Sequence, residues 1–175
     1  GGHEVQDPKS SEIAEAAGLG EATERVTALL ALLDAPNLVI GSNAHAGSIT
    51  VADDVAFNRN LTLQNTTGGI RLDAIVDLGD NVLALASAGD IVQTAGGITA
   101  HSLLAISSGG SVRLDSTTNQ IQPNTLAGSA AGDFVYVNAN SVGIGSVNAN
   151  GYNAGSNSPS ALSAAATSST CISKP

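Results

Sequence analysis

The sequence predicts an all-β fold, a right-handed parallel β-helix (solenoid) of about five coils with a short N-terminal helical segment before it. Three observations carry this. The motif Gly, any residue, apolar residue recurs as Gly47-Ser48-Ile49, Gly68-Gly69-Ile70, Gly89-Asp90-Ile91, Gly110-Ser111-Val112 and Gly132-Asp133-Phe134. It sets Ile49, Ile70, Ile91, Val112 and Phe134 at intervals of 21, 21, 21 and 22 residues. A second column, Leu38, Leu61, Val82, Leu103 and Thr125, keeps the same period with spacings of 23, 21, 21 and 22, and a looser third column is Val55 or Phe57, Val76, Ile98, Ile121 and Val142. Around the columns the residues alternate, as in Leu61-Thr62-Leu63, Val112-Arg113-Leu114 and Val135-Tyr136-Val137. That period of two marks a half-buried strand.

The elements follow in order. Residues 1–36 hold seven of the fifteen acids and two basic residues, giving −5, and carry a helical pattern. Asp7 before Pro8 predicts an N-cap with Pro at the first helical position, and Gly18 to Gly20 interrupts that helix. A second helix is expected over 21–34, with Val26, Leu29, Leu30 and Leu33 on one stripe at i, i+3, i+4 and i+7, stopped by Ala35-Pro36. A solenoid exposes its apolar interior and unpaired strand edges at each end, so this segment is expected to cap coil one or to dock on another subunit. Residues 37–147 are the β-helix, with three short strands per coil and Gly or Asn at the corners, where positive φ is needed. The inward core ladder is Ile49, Ile70, Ile91, Val112 and Phe134. Residues 148–175 are Ala, Ser, Asn and Gly with little periodicity, which predicts a linker or mobile tail.

Composition narrows the function. The 175 residues carry 42 % apolar residues, four aromatics and a net charge of −9. Six basic residues scattered along an acidic chain make no positive stripe, so no nucleic-acid partner is expected. No stretch approaches the roughly 18–20 apolar residues of a membrane-spanning helix, so no membrane insertion is expected either. The single Cys171 has no intramolecular disulfide partner and reads as an inert thiol. The start, Gly1-Gly2-His3, has no basic or apolar leader, so any export signal is expected to have been removed or to lie elsewhere in a longer precursor.

Two stretches resemble a known family. They are Gly110-Ser111-Val112-Arg113-Leu114-Asp115 continuing through Leu126-Ala127-Gly128-Ser129-Ala130-Ala131-Gly132-Asp133-Phe134-Val135-Tyr136-Val137-Asn138-Ala139, and Ala88-Gly89-Asp90-Ile91-Val92-Gln93-Thr94-Ala95-Gly96-Gly97-Ile98. Over roughly 38–147 the chain resembles the repeat region of filamentous-haemagglutinin-like adhesins. The resemblance implies a bacterial surface protein exported by a two-partner system, with a β-helix shaft outside the cell. What matches is the shaft, so no adhesive residue is carried over.

Enzymatic chemistry is the competing class, because β-helices also cleave polysaccharides. Asp73 and Asp115 sit in one phase two coils apart, about 9.6 Å at the parallel-strand spacing, near the roughly 6.5–9.5 Å of inverting glycosidases. Arg71 and Arg113 share that face, so charge offsetting on a solvated sheet is the simpler reading, and no catalytic residue is assigned. Asp53-Asp54 lacks the signatures that accompany paired aspartates in pectin-cleaving β-helices. His3, His45 and His101 lack transition-metal spacing, and Asp73, Asp77, Asp80 and Asn81 lack a calcium-loop register. No cofactor or metal is expected. Asn60-Leu61-Thr62 and Asn65-Thr66-Thr67 are glycosylation sequons. The expected function is an extracellular structural and adhesive module on the outer surface of a bacterium, with glycans or the remainder of a larger adhesin as partners. The alternative is a fibre subunit self-associating head to tail through its solenoid ends; a polysaccharide-active enzyme comes third.

Overall fold

The computed structural model describes residues 35–165 and 171–173. The predicted helix and its stripe, Val26, Leu29, Leu30 and Leu33, lie outside the described residues, and no helix occurs among those described. From Asn37 the chain winds as a solenoid of parallel strands with about five turns. Coil one holds β1 (Asn37–Gly41), β2 (Ile49–Val51) and β3 (Val55–Ala56); coil two holds β4 (Asn60–Gln64), β5 (Ile70–Leu72) and β6 (Val76–Asp77). Coil three begins with β7 (Val82–Ser87) and β8 (Ile91–Gln93). Then β9 (Ile98–Ser107) runs from the third face of that coil onto the first face of the next. β10 (Val112–Leu114) follows, and β11 (Gln120–Ala130) turns the same corner before β12 (Phe134–Asn138) and β13 (Gly143–Ile144). The chain then leaves the solenoid in a hairpin, β14 (Ser146–Asn153) and β15 (Ser158–Ala165), and returns as β16 (Cys171–Ser173), parallel to β12.

Each strand pairs with the strand one coil away, so the repeat length becomes the sheet register. The second face reproduces the predicted ladder residue for residue: Ile49 pairs with Ile70, Ile70 with Ile91, Ile91 with Val112 and Val112 with Phe134. The first face differs by one residue at two places. Its column is Leu38, Leu61, Leu83, Leu103, Leu126 and Ile144, while Val82 and Thr125 each pair with Ser102. The third face departs further: Val55 and Val76 pair as expected, but Ile121 pairs with Ala100 two residues past Ile98. The cause is the corner. Coil two turns through Leu78-Gly79-Asp80-Asn81, with Gly79 at φ +53° and Asn81 donating back to the Leu78 carbonyl, whereas β9 and β11 run through that corner as strand.

The interior is aliphatic. Ile70, Leu72, Val76, Leu83, Ile91 and Ile98 are fully buried, and the ring of Phe134 is accommodated by shrinkage opposite. Leu63, Leu85, Ala105 and Gly128 form one inward column, and a Cβ on Gly128 would lie 2.6 Å from Phe134 and 2.1 Å from the Ala105 carbonyl oxygen. The column thus shrinks from Leu to Ala to Gly toward the coil that holds the Phe134 ring.

Residues 148–165, expected as a linker or tail, form most of the hairpin instead. Its antiparallel strands lie over the outer side of the first face, where Ala84, Leu104 and Ala127 are fully buried against Val147, Ala149, Leu162 and Ala164. Thr62 donates to the Asn150 carbonyl (2.6 Å), Gln64 accepts from the Tyr152 N–H (2.9 Å), and the Asn43 N–H donates to the Tyr152 carbonyl (3.1 Å). Leaving from β13 at the far end and reaching β1, an eight-residue strand of about 26 Å covers the five inter-strand steps, about 24 Å. The apolar runs Leu83-Ala84-Leu85-Ala86 and Leu103-Leu104-Ala105-Ile106 are strands buried on both sides.

Two outcomes are expected. Gly128→Ala lowers the urea midpoint by the equivalent of about 2 kcal/mol, because its methyl group meets backbone and cannot be accommodated by a side-chain rotation; an unchanged midpoint refutes the packing argument. Leu104→Asp in the full chain exposes the apolar face under the hairpin, which is measured as increased binding of a hydrophobic dye and self-association in light scattering.

Candidate functional site

The outward residues of the second face carry the charge. Arg71 Nε lies 2.5 Å from Asp73 Oδ1, and Arg113 Nη1 lies 3.3 Å from Asp115 Oδ2. Thr94, one coil beyond Asp73, donates its hydroxyl to the same Asp73 oxygen. The Thr94 hydroxyl first and the Arg71 guanidinium second hold the Asp73 carboxyl below the usual carboxylate range. A depressed folded value stabilises the protein above the unfolded pKa of about 3.9, and that contribution is lost as pH falls through the folded value. The two predicted carboxylates therefore sit in phase, each paired with an arginine two residues earlier. Asp115 lines the groove described below, and Asp73 does not.

At the corner between the second and third faces, the inward column reads Val51, Leu72, Gln93, Leu114 and Tyr136. A polar residue there requires a partner. Gln93 and Asn119 meet in a reciprocal amide pair: Gln93 Nε2 donates to Asn119 Oδ1 and Asn119 Nδ2 donates to Gln93 Oε1, both at 2.9 Å. Asn119 Oδ1 also accepts from the Ile98 N–H (2.9 Å), and its Nδ2 donates to the Leu114 carbonyl (3.2 Å). One coil on, Asn138 accepts from the buried Tyr136 hydroxyl and the Ile121 N–H. Among the described residues no buried side-chain nitrogen or oxygen lacks a partner.

Outside this amide pair lies a groove of about 670 Å³ spanning coils two to four. Its floor is Gly96-Gly97, where side chains do not fit. A Cβ on Gly96, which sits at φ +69°, would come within 2.3 Å of the Ala74 backbone, and one on Gly97 within 2.6 Å of Thr118 Oγ1. The corner of coil three is thereby recessed between Ile75 of coil two and Thr117-Thr118 of coil four, with Thr94, Thr99, Asp115 and Ser116 completing the walls. Ile75 is 45 % exposed. Ser116 Oγ donates to the Gly96 carbonyl (2.8 Å) and lies 2.9 Å from Thr118 Oγ1.

Other candidates have structural duties. Asp54 accepts from the Ile75 N–H, Asp77 from the Gly79 N–H, and Asn81 donates to Asn58 Oδ1 and the Leu78 carbonyl, so these residues build turns. His45 is exposed, and among the described residues no group of three or more His, Cys, Asp or Glu is placed to hold a metal ion. The sequon asparagines are engaged. Asn60 donates to Asn37 Oδ1 and accepts from the Val82 N–H, while Asn65 is 5 % exposed with its Nδ2 on the Gly47 and Gly69 carbonyls. A glycan on Asn65 Nδ2 is incompatible with this folded corner. Cys171 opens β16, its backbone paired with Tyr136. His3 lies outside the described residues. Sequence reasoning missed Ile75, Gln93, Asn119 and Thr118; the available signals were a glutamine in an apolar column and the Gly96-Gly97 pair one corner later.

Compared with known proteins, the chain matches no family model, no curated protein and no solved structure.

Asn119→Ala strands the Ile98 N–H and leaves the Gln93 amide only its longer bonds to the Gly96 carbonyl and the Ser116 N–H, and it is expected to lower stability to urea by about 2 kcal/mol; an unchanged midpoint refutes the amide-pair argument. Asp73→Asn leaves a protein whose urea midpoint falls less between pH 7 and pH 3 than that of the parent chain, by the linkage sign above. Equal falls in both proteins exclude Asp73 from the acid dependence.

Proposed function

We propose that the chain is a non-enzymatic, extracellular structural and adhesive module, the right-handed β-helix shaft of a bacterial surface protein of the filamentous-haemagglutinin-like kind. The observation that carries this reading is the unbroken in-register stack from Ile49 to Phe134 with every coil joined to the next by parallel strands. Such a stack resists bending and presents a repeating outer surface, which is what a shaft requires. The right-handed sense follows from the general handedness of crossovers between parallel strands, right-handed in roughly 98 % of cases. The paired Arg71-Asp73 and Arg113-Asp115 favour a solvated, charge-balanced face over a catalytic carboxylate pair.

The second reading is a fibre subunit. Leu38, Ile49 and Val51 of coil one are half-buried, whereas their partners Leu61, Ile70 and Leu72 are buried, so coil one has room for a further layer, which in this reading the next copy supplies. The two readings part in the microscope. Antibody raised against the purified chain is expected to label intact cells of the source bacterium. Labelling confined to lysed cells overturns the surface assignment, and regular fibres grown from the purified chain in electron micrographs select the fibre reading over the shaft module.

A further inference from the structure

We propose that the corner groove of coils two to four is a binding site for an uncharged saccharide. This rests on the adhesive half of the reading above and adds the ligand class and the residues that take it.

The argument is one of hydrogen-bond supply. Among the described residues no lysine, arginine or histidine lines the groove, which disfavours phosphate, sulfate or a uronic acid. The wall hydroxyls of Thr94 and Ser116 already spend their protons on the Asp73 carboxylate and the Gly96 carbonyl, and that of Thr118 lies within reach of Ser116 Oγ and the same Gly96 carbonyl. Thr99 and Thr117 add two further wall hydroxyls that are not held by an intramolecular bond and can donate or accept. Asp115, half-neutralised by Arg113 and 41 % exposed, adds carboxylate oxygens. Gln93 offers nothing to a ligand, because both ends of its amide are used by Asn119, Gly96 and the Ser116 N–H. The groove therefore offers carboxylate and hydroxyl acceptors together with the hydroxyl donors of Thr99 and Thr117, and no cation among the described residues.

A ligand that matches it brings several hydroxyl donors and no negative charge, which describes a neutral sugar. The remaining wall supplies the other half of sugar recognition. The 45 % exposed side chain of Ile75 is an aliphatic surface at the groove edge, suited to the C–H face of a pyranose ring. The volume of about 670 Å³ lies within the range of roughly 300–1,000 Å³ usual for small-molecule sites. Pre-organisation is built in: Gly96 and Gly97 are locked against coils two and four, and the Thr94 and Ser116 hydroxyls are held by the bonds that consume their protons.

The test is a titration of the isotopically labelled full chain followed by amide resonances. The probes are methyl glycosides of glucose, mannose, galactose and N-acetylglucosamine, with glucuronic acid and calcium chloride as separate additions. At least one neutral glycoside is expected to shift amides of residues 94–99 and 115–118 with a Kd of about 1–10 mM, and glucuronic acid to bind at least about fivefold more weakly. Asp115→Ala and Ile75→Glu are each expected to weaken that binding about tenfold with an unchanged melting temperature. Shifts from none of the four glycosides, shifts only outside the groove, binding of glucuronic acid or calcium alone, or variants that bind as the parent does each overturn the proposal. Cell-surface labelling is independent of this titration, so failure of the groove and failure of the surface assignment are told apart.

Discussion

Everything in this fold depends on the parallel pairing of each strand with the strand one turn away. Backbone donors and acceptors buried between coils must be satisfied by that neighbour, so each face has to repeat at a length that returns the chain to register. The second face meets the constraint most strictly, with four successive pairings of one apolar column. Length variation is pushed to the corners. Coil two spends a glycine turn at Gly79, later coils omit it, and β11 takes a register shift between Ile121 and Thr125.

The corners also decide where polar groups go. At one, Asn65, Ser87 and Ser107 stack in successive coils: Ser87 donates to Asn65 Oδ1 (2.5 Å) and Ser107 to the Gly89 carbonyl (2.8 Å). At another, the Gln93-Asn119 pair replaces aliphatic packing and caps the N–H of Ile98. These networks satisfy backbone that has left the sheet ladder, and they do so with short, uncharged side chains. The groove lies outside the second network. Glycine is needed at 96 and 97 because a Cβ there would meet the Ala74 backbone and Thr118, so coils two, three and four approach closely at this corner.

The hairpin supplies a different kind of constraint. An apolar outer face on a five-turn solenoid is an exposed patch of the sort that drives association, and β14 with β15 cover it by crossing five strands of the first face. Because one hairpin touches strands from coil one to coil five, it couples coils that otherwise meet only their neighbours. That coupling converts a stack with near-independent steps into a more cooperative unit. Covering one outer face leaves the second face and its corner as the charged and hydroxylated surface, where the groove lies.

The solenoid was legible because its determinants are local and repeated. Ile49, Ile70, Ile91, Val112 and Phe134 announce their register by spacing alone, since each contacts the residue one period away. Val82 and Thr125 were misplaced by one residue because both strands are apolar on both sides. Alternation then no longer marks the inward position. The arginine-aspartate pairing was readable from an i, i+2 spacing on a strand. The docking of 146–165 was not, because Ala, Ser and Asn carry no periodic signal, and the surface they cover is assembled from four coils distant in sequence. The groove was hidden for the same reason. Ile75, Gly96, Asp115 and Thr118 become neighbours only when coils two, three and four stack. Sequence by itself determined the repeat, the faces and most of the inward ladder; tertiary structure alone decided what covers the outer face and which hydroxyls converge, because those contacts depend on stacking geometry rather than on any single coil.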